Sequence, residues 1–173
     1  MSKLYRHYKN KDYKYWGEAI HSETLEKLVV YETRYSNPLG KLWVRPKKMF
    51  FETVEKDGQT LPRFNQISFS VVPSDTWSTE LATSVEPLLL EIFAMQNSSK
   101  VSERLKGKEK LLLLQIFDGK RCVGFKLGYE LGSKTFYSWL GGVDPSYRGL
   151  GLGRLMMDRQ HLSIIKRPKP RPR

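Results

Sequence analysis

The sequence predicts an α+β protein built from two parts of different character. From residue 1 to about residue 67, short β-rich runs are separated by charged turns, which is typical of a small, mostly β domain that closes into a barrel or a rolled sheet. From residue 68 to about residue 165, a strand is followed by helix signals, three more strands and a last helix. The change of pattern places a domain boundary near residue 67.

The strands of the first part are indicated by runs of β-branched and aromatic residues. Residues 13–16, 28–31 and 42–44 are such runs, and turn signals at 37–40 separate two of them. Pro46 suits the first turn of a helix, so a short helix is predicted to begin there.

Basic and aromatic side chains alternate between residues 5 and 15. A surface of this kind stacks bases and holds phosphates, which is how single-stranded nucleic acids are bound. Alternation along a strand also results when tyrosines face a core and lysines face water. We favour the second interpretation.

The second part begins with one strand, two predicted helices and three further strands. Asp75 or Ser78 is expected to cap the first helix, and Ser84 the second helix at 85–95, with Pro87 in its first turn. Turn signals at 118–119 and 132–133 separate the later strands. The strands are predicted at 67–72, 110–117, 121–131 and 135–143.

The most informative segment is the glycine-rich turn between the last strand and the last helix. Gly149, Gly151 and Gly153 lack a Cβ atom, so the main chain there can approach an anion closely. The helix that follows points its free N–H groups and the positive end of its dipole at the same place. The segment therefore predicts a site for a phosphate group.

This segment resembles the cofactor motif of the Gcn5-related N-acetyltransferase (GNAT) family, on Val143, Pro145, Arg148 and the three glycines. The resemblance implies acetyl transfer from acetyl-CoA, as co-substrate, to an amine acceptor. It implies that the amides of 148–153 bind the CoA diphosphate, and that the main chain of Gly142 and Val143 holds the pantetheine arm and polarises the thioester carbonyl. The implied cofactor-binding residues are Gly142, Val143, Arg148, Gly149, Leu150, Gly151, Leu152, Gly153 and Arg154.

The general base of such a transfer is a carboxylate or a water chain. Glu130 and Asp144 are the acidic candidates nearest to the motif in sequence. No metal site is expected, because His7 and His21 have no cysteine close to them.

Complete GNAT members continue after the motif helix with a strand, a helix and two more strands. The resemblance therefore implies an incomplete, mixed acetyltransferase sheet at 68–165, with its C-terminal strands missing, followed by a disordered basic tail at 166–173. Three explanations stay open: a truncated or frame-shifted product, completion by a second chain, or a cofactor-binding remnant. The exposed sheet edge is expected to favour a homodimer.

Residues 1–67 resemble a bacterial family of unknown function, number 1653. The matching pieces are Tyr5-Arg6-His7, His21-Ser22-Glu23-Thr24, Val29-Val30-Tyr31, Trp43-Val44-Arg45-Pro46, Met49-Phe50 and Pro62-Arg63-Phe64. This family has no settled activity, so the resemblance implies no chemistry.

Composition indicates which partners and which cellular compartment to expect. The net charge of +12 favours anionic partners, which include CoA and nucleic acids. A single cysteine, Cys122, and the lack of a long apolar run predict a cytoplasmic protein without a membrane span. The alternative function is a non-catalytic module that recognises a protein or a nucleic acid through the basic, tyrosine-rich N-terminal domain.

Overall fold

The α+β class is confirmed by the computed structural model, which describes residues 3–132 and 135–166. The chain divides between Ile67 and Ser68 into two compact units, each with its own antiparallel sheet. The basic tail expected at 166–173 lies, apart from Lys166, outside the described residues.

The two units contain the following elements. The N-terminal unit contains β1 (Lys3–His7), β2 (Lys11–Ile20), β3 (Lys27–Thr33), β4 (Leu42–Pro46), α1 (Lys47–Phe51), β5 (Thr53–Lys56), β6 (Gln59–Pro62) and β7 (Phe64–Ile67). The C-terminal unit contains β8 (Phe69–Ser74), α2 (Thr79–Phe93), α3 (Ser99–Leu105), β9 (Leu112–Asp118), β10 (Arg121–Leu131), β11 (Thr135–Val143) and α4 (Leu152–Ile165).

The N-terminal unit is an open sheet rather than a closed barrel. Its five strands pair in the order β4-β3-β2-β1-β7, and β5 and β6 form a separate hairpin. Since β4 and β7 occupy the two edges, the predicted closure into a small barrel is not seen among the described residues. Helix α1 instead covers one face of the sheet with Phe50, whose side chain is fully buried.

The core of this unit is aromatic because the strand register places tyrosines opposite one another. Tyr5 pairs with Tyr13 across β1 and β2, and both face the core with Tyr15. The rings of Phe50 and Phe64 stack on each other at 4.1 Å between centroids. Tyr5, Tyr13 and Tyr15 therefore pack on the core, as the favoured interpretation expects, whereas Tyr8 lies outside this cluster.

The C-terminal unit has a helix layer on each face of its sheet. The strands pair in the order β11-β10-β9-β8, and every pairing is antiparallel, so the described sheet is not mixed. Phe125 packs with residues of α2 and α3 on one face. Its neighbour Gly124 faces the other way, where the Met156 side chain of α4 lies against it. The turn between β11 and α4 therefore leads the chain from the edge of the sheet to the face that α4 covers.

Helix α2 differs from the prediction of two helices around Ser84. Ser78 caps it as expected, since its side chain accepts a hydrogen bond from the Leu81 amide. Pro87, however, lies well inside the helix, and Ser84 accepts a hydrogen bond from the buried Gln115 at 2.6 Å instead of acting as a cap. This tertiary contact and the buried face of the helix outweigh the amide that Pro87 lacks.

None of the described helices has the length and apolar character that crossing a membrane requires.

His7 is a neutral side chain held among cations in the N-terminal unit. Its Nδ1 atom accepts a hydrogen bond from the Lys9 amide at 3.3 Å, and its ring lies 4.7 Å from that of Phe64. Burial lowers the pKa of His7 to about 4, and nearby positive charges add to the effect. These charges belong to Arg45, Arg63 and Lys9.

We predict that the N-terminal unit loses stability as the pH falls from about 6.5 towards 4. In this window the unfolded chain protonates His7 and the folded chain does not, so acid favours unfolding. The substitution His7→Phe keeps the ring and removes this dependence. The measurement is urea unfolding at pH 7 and pH 5, and an equal loss of stability in the wild type and the variant would contradict the prediction.

Candidate functional site

The turn between β11 and α4 directs leucine side chains inward and glycine main chain outward. Leu150 and Leu152 are buried, at 0% and 1% exposure. Gly149, Gly151 and Gly153 alternate with them and are exposed. The turn therefore buries its leucines and leaves its glycines exposed.

Two of these glycines have conformations that favour glycine. Gly149 has a φ of +74° and Gly151 a φ of +85°, where a side chain is strained. Gly151 is the N-cap of α4, and no side chain among the described residues caps its amides. A Cβ atom at Gly149 or Gly153 would meet nothing within 4 Å. Open space therefore lies where side chains of Gly149 and Gly153 would be, next to the first amides of the helix, which have no carbonyl partner within it.

Positive charge accompanies these amides. Arg148 is exposed, and its Nε donates to the main-chain oxygen of Val143 at 3.2 Å. The side chain of Arg154 is 88% exposed, with its Nε 3.9 Å from the Asp158 carboxylate. The dipole of the 14-residue helix adds a partial positive charge at the same end. This end of α4 is therefore suited to an anion.

Asp144, predicted as a general base, is buried and forms contacts within the protein. Its side chain is buried at 1% exposure and forms an ion pair with Arg121 at 2.6 Å. It also accepts hydrogen bonds from the amide and the hydroxyl of Ser146, at 2.8 and 2.7 Å. These contacts fix the first residues of the turn and give both carboxylate oxygens a partner. We assign Asp144 to the support of the turn.

The structure does not bring Glu130, the other predicted base, to the turn. Glu130 forms an ion pair with Lys110 at 2.7 Å near the far end of β10. Val143 pairs with Gly124 on the same strand, and the six residues from there to Glu130 span about 20 Å. The two candidates therefore do not share a site.

Strand β11 is an edge of the described sheet, and its residues alternate in direction. The Asp144 amide donates to Val123 of β10, so by alternation Gly142 also turns its main chain to β10 while Val143 and Gly141 turn theirs outward. A Cβ atom on Gly142 would lie 2.6 Å from Ile92 of α2. Gly142 therefore packs against α2, and Val143 faces the open edge. The cofactor-binding role of both residues stays a prediction.

The pairing of β11 with β10 has an irregularity at Trp139. Leu127 pairs with Leu140 and the next residue, Gly128, pairs with Ser138, so Trp139 is an extra residue in the ladder. A bulge leaves the extra residue without a ladder partner. The main chain of this edge therefore departs from regular pairing at Trp139.

A cluster next to Trp139 was missed in the sequence. Arg104 of α3 donates from Nε to the Tyr129 hydroxyl at 3.4 Å, and its guanidinium carbon lies 5.8 Å from the Trp139 ring. Alternating aromatic residues in β10 and β11 are a signal for one half of it. The other half depends on α3, a short helix that the sequence analysis did not predict.

Cys122 is buried, as expected, and burial raises the pKa of its thiol to about 11. The group is therefore a neutral thiol near pH 7 and a poor nucleophile. Within residues 3–132 and 135–166, no three histidine, cysteine or acidic side chains come together in a way that would hold a metal ion.

Comparisons with known proteins match both parts of the chain. Residues 3–66 match the model of a family described as "Protein of unknown function (DUF1653)". Residues 93–166 match the model of an acetyltransferase (GNAT) domain. The second match includes β11, the glycine-rich turn and α4.

A solved structure resembles the N-terminal part. It is a protein belonging to DUF1653 from Bordetella bronchiseptica, with 34% sequence identity, a TM-score of 0.35, and a match that covers 37% of this chain and 82% of that one. A search of curated proteins found no match.

We predict that Asp144→Asn lowers the free energy of unfolding of the C-terminal unit by about 1–3 kcal/mol, because a buried charged hydrogen bond to Arg121 is lost. The control is Asp158→Asn, at a carboxylate that is 63% exposed, which should change stability little. The measurement is urea unfolding followed by circular dichroism. A variant of unchanged stability that loses acetyl transfer would show Asp144 to be a catalytic base instead.

Proposed function

The chain belongs to the DUF1653 family through residues 3–66 and carries a GNAT acetyltransferase domain at residues 93–166, and on this basis we propose that it binds acetyl-CoA and transfers the acetyl group to an amine. The observation that carries the proposal is the exposed, glycine-lined start of α4, which has no side-chain cap and lies within the GNAT match. The DUF1653 part contributes no assigned chemistry.

The turn fits a diphosphate in shape and charge. Open space lies where Cβ atoms of Gly149 and Gly153 would be, so phosphate oxygens can reach the amides without moving a side chain. Arg148 and Arg154 are exposed on either side of the turn and provide the positive charge that a diphosphate needs. We assign diphosphate binding to the amides of residues 149–154 and to these two arginines.

The length of β11 fits the rest of the cofactor. The pantetheine arm has two amide units and about as many main-chain bonds as four extended residues, so it spans roughly 14 Å. The strand from Val143 back to Trp139 spans about 13 Å. An arm that starts beside Val143 and follows the open edge of β11 therefore brings the sulfur to Trp139. We place the thioester there rather than at Gly142.

The chemistry follows from this placement. A neutral amine attacks the thioester carbonyl, the carbonyl oxygen gains negative charge, and the C–S bond then breaks to release the CoA thiolate. A main-chain N–H at the Trp139 bulge stabilises the oxygen as charge develops. The ammonium formed on the acceptor passes its proton to solvent, and we assign no carboxylate base.

The exposed edge of β11 is also the place where the expected homodimer would form. Pairing of two copies through β11 would occupy the groups of Gly141 and Val143 that face away from β10. Those are the groups that we assign to the pantetheine arm. Acetyl-CoA and a β11-mediated dimer therefore exclude each other in this proposal, and the edge serves the cofactor.

We predict that Gly153→Leu weakens the binding of acetyl-CoA by at least about tenfold, or 1.4 kcal/mol, without lowering the thermal midpoint. The leucine side chain fits the open space at Gly153, favours helix and covers the anion site. Titration calorimetry measures the affinity, and His161→Leu, at an exposed position further along α4, is the control. Unchanged affinity in Gly153→Leu, or no binding by the wild type at millimolar acetyl-CoA, would refute the proposal.

A further inference from the structure

The cluster beside Trp139 is one continuous surface of rings and cations. The Tyr129 ring contacts those of Tyr137 and Trp139, at 5.6 and 6.2 Å between centroids. Arg104 lies over the Trp139 ring, and the Nζ atom of Lys108 is 5.3 Å from the Tyr129 centroid. Tyr129 is buried, whereas Tyr137 is 40% exposed. One ring of the surface is therefore fixed in the core, and another is open to solvent.

The two cations of this surface are not neutralised by carboxylates. Among the described residues of the C-terminal unit, ion pairs involve Lys110, Arg121 and Arg154 but neither Arg104 nor Lys108. Glu103 precedes Arg104 in α3, but its side chain points in another direction, because successive residues of a helix are rotated by about 100°. A guanidinium stacked on an indole and hydrogen-bonded to a tyrosine is held in position, with donors left to bind an anion.

The location of this surface connects it to the reaction. Trp139 is the bulge residue of β11, where we place the thioester, so the proposed site of acetyl transfer and the ring cluster share one residue. A polyamine, which carries several positive charges, would be repelled by Arg104 and Lys108. An acceptor that carries a negative charge near its amine would be attracted, and an aromatic or apolar body would be in contact with Tyr137 and Trp139.

We infer that the acceptor is an amine that also carries an anionic group, bound by Arg104 while its body lies on the rings of Tyr137 and Trp139. This inference rests on the proposed acetyltransferase function and specifies the acceptor class for the same site. Carboxylate and phosphate share the required chemistry, because the guanidinium pairs with both.

The test compares acceptors that differ in charge. Phenylalanine carries a carboxylate that phenethylamine lacks, phosphoethanolamine carries a phosphate, and spermidine is a polycation. Binding of each to the CoA-loaded protein is measured by calorimetry, and acetyl transfer is measured as release of free thiol. We expect phenylalanine or phosphoethanolamine to bind at least about tenfold more tightly than phenethylamine, as a charged hydrogen bond predicts, and spermidine to bind weakly. Which anionic probe is preferred distinguishes carboxylate from phosphate.

Two variants test whether Arg104 causes the preference for an anionic acceptor. We expect Arg104→Gln to remove the preference for the anionic acceptor, raising its KM about tenfold with little change in kcat and in acetyl-CoA affinity. Lys100→Gln removes a charge from an exposed position of the same helix and should change neither. Tight binding of acetyl-CoA with a preference for phenethylamine or spermidine, or with no effect of Arg104→Gln, would overturn the inference and leave the proposed function intact. No binding of acetyl-CoA would overturn both.

Discussion

The position of the turn between β11 and α4 depends on the burial of two leucines. Leu150 and Leu152 occupy the core on alternate positions, while the glycines between and beside them are exposed. Neighbouring contacts hold the turn on the sheet: the Tyr147 hydroxyl donates to Asp118 at 2.7 Å, and Asp144 binds Arg121. An anion site made of amides needs this rigidity, since mobile amides would have to be ordered at each binding event.

The same constraint extends along the edge strand. The contact of Gly142 with Ile92 fixes which residues of β11 face β10 and which face the open edge. The bulge at Trp139 then changes this alternation where the arm of the cofactor would end. Cations lie beside both ends of the stretch from Val143 to Trp139, Arg148 at the turn and Arg104 at the bulge. In our proposal, the edge combines a binding site for a diphosphate with a separate surface of the same charge for an acceptor.

Local signals in the sequence were sufficient for much of this arrangement. Glycine turns bound β10 and β11, whose limits agree with the prediction, and the glycine-rich turn before α4 consists of residues that are contiguous in the chain. The positions that were missed depend on partners far away in sequence. The phase of β11, and with it the role of Gly142, is set by pairing with β10 and by α2. Helix α2 continues through Pro87, where its buried face and the hydrogen bond from Gln115 to Ser84 hold it on the sheet. The distance from Glu130 to the turn follows from strand register.

The central claim is that the amides at the start of α4 bind the diphosphate of CoA. Two-dimensional ¹H–¹⁵N NMR of the whole chain during titration with CoA measures this residue by residue. Our account predicts saturable shifts of the Gly149, Gly151, Gly153 and Arg154 amides, with smaller shifts along β11 from Val143 to Trp139. Unchanged amides in the turn at saturating CoA, or shifts confined to other parts of the chain, would contradict it.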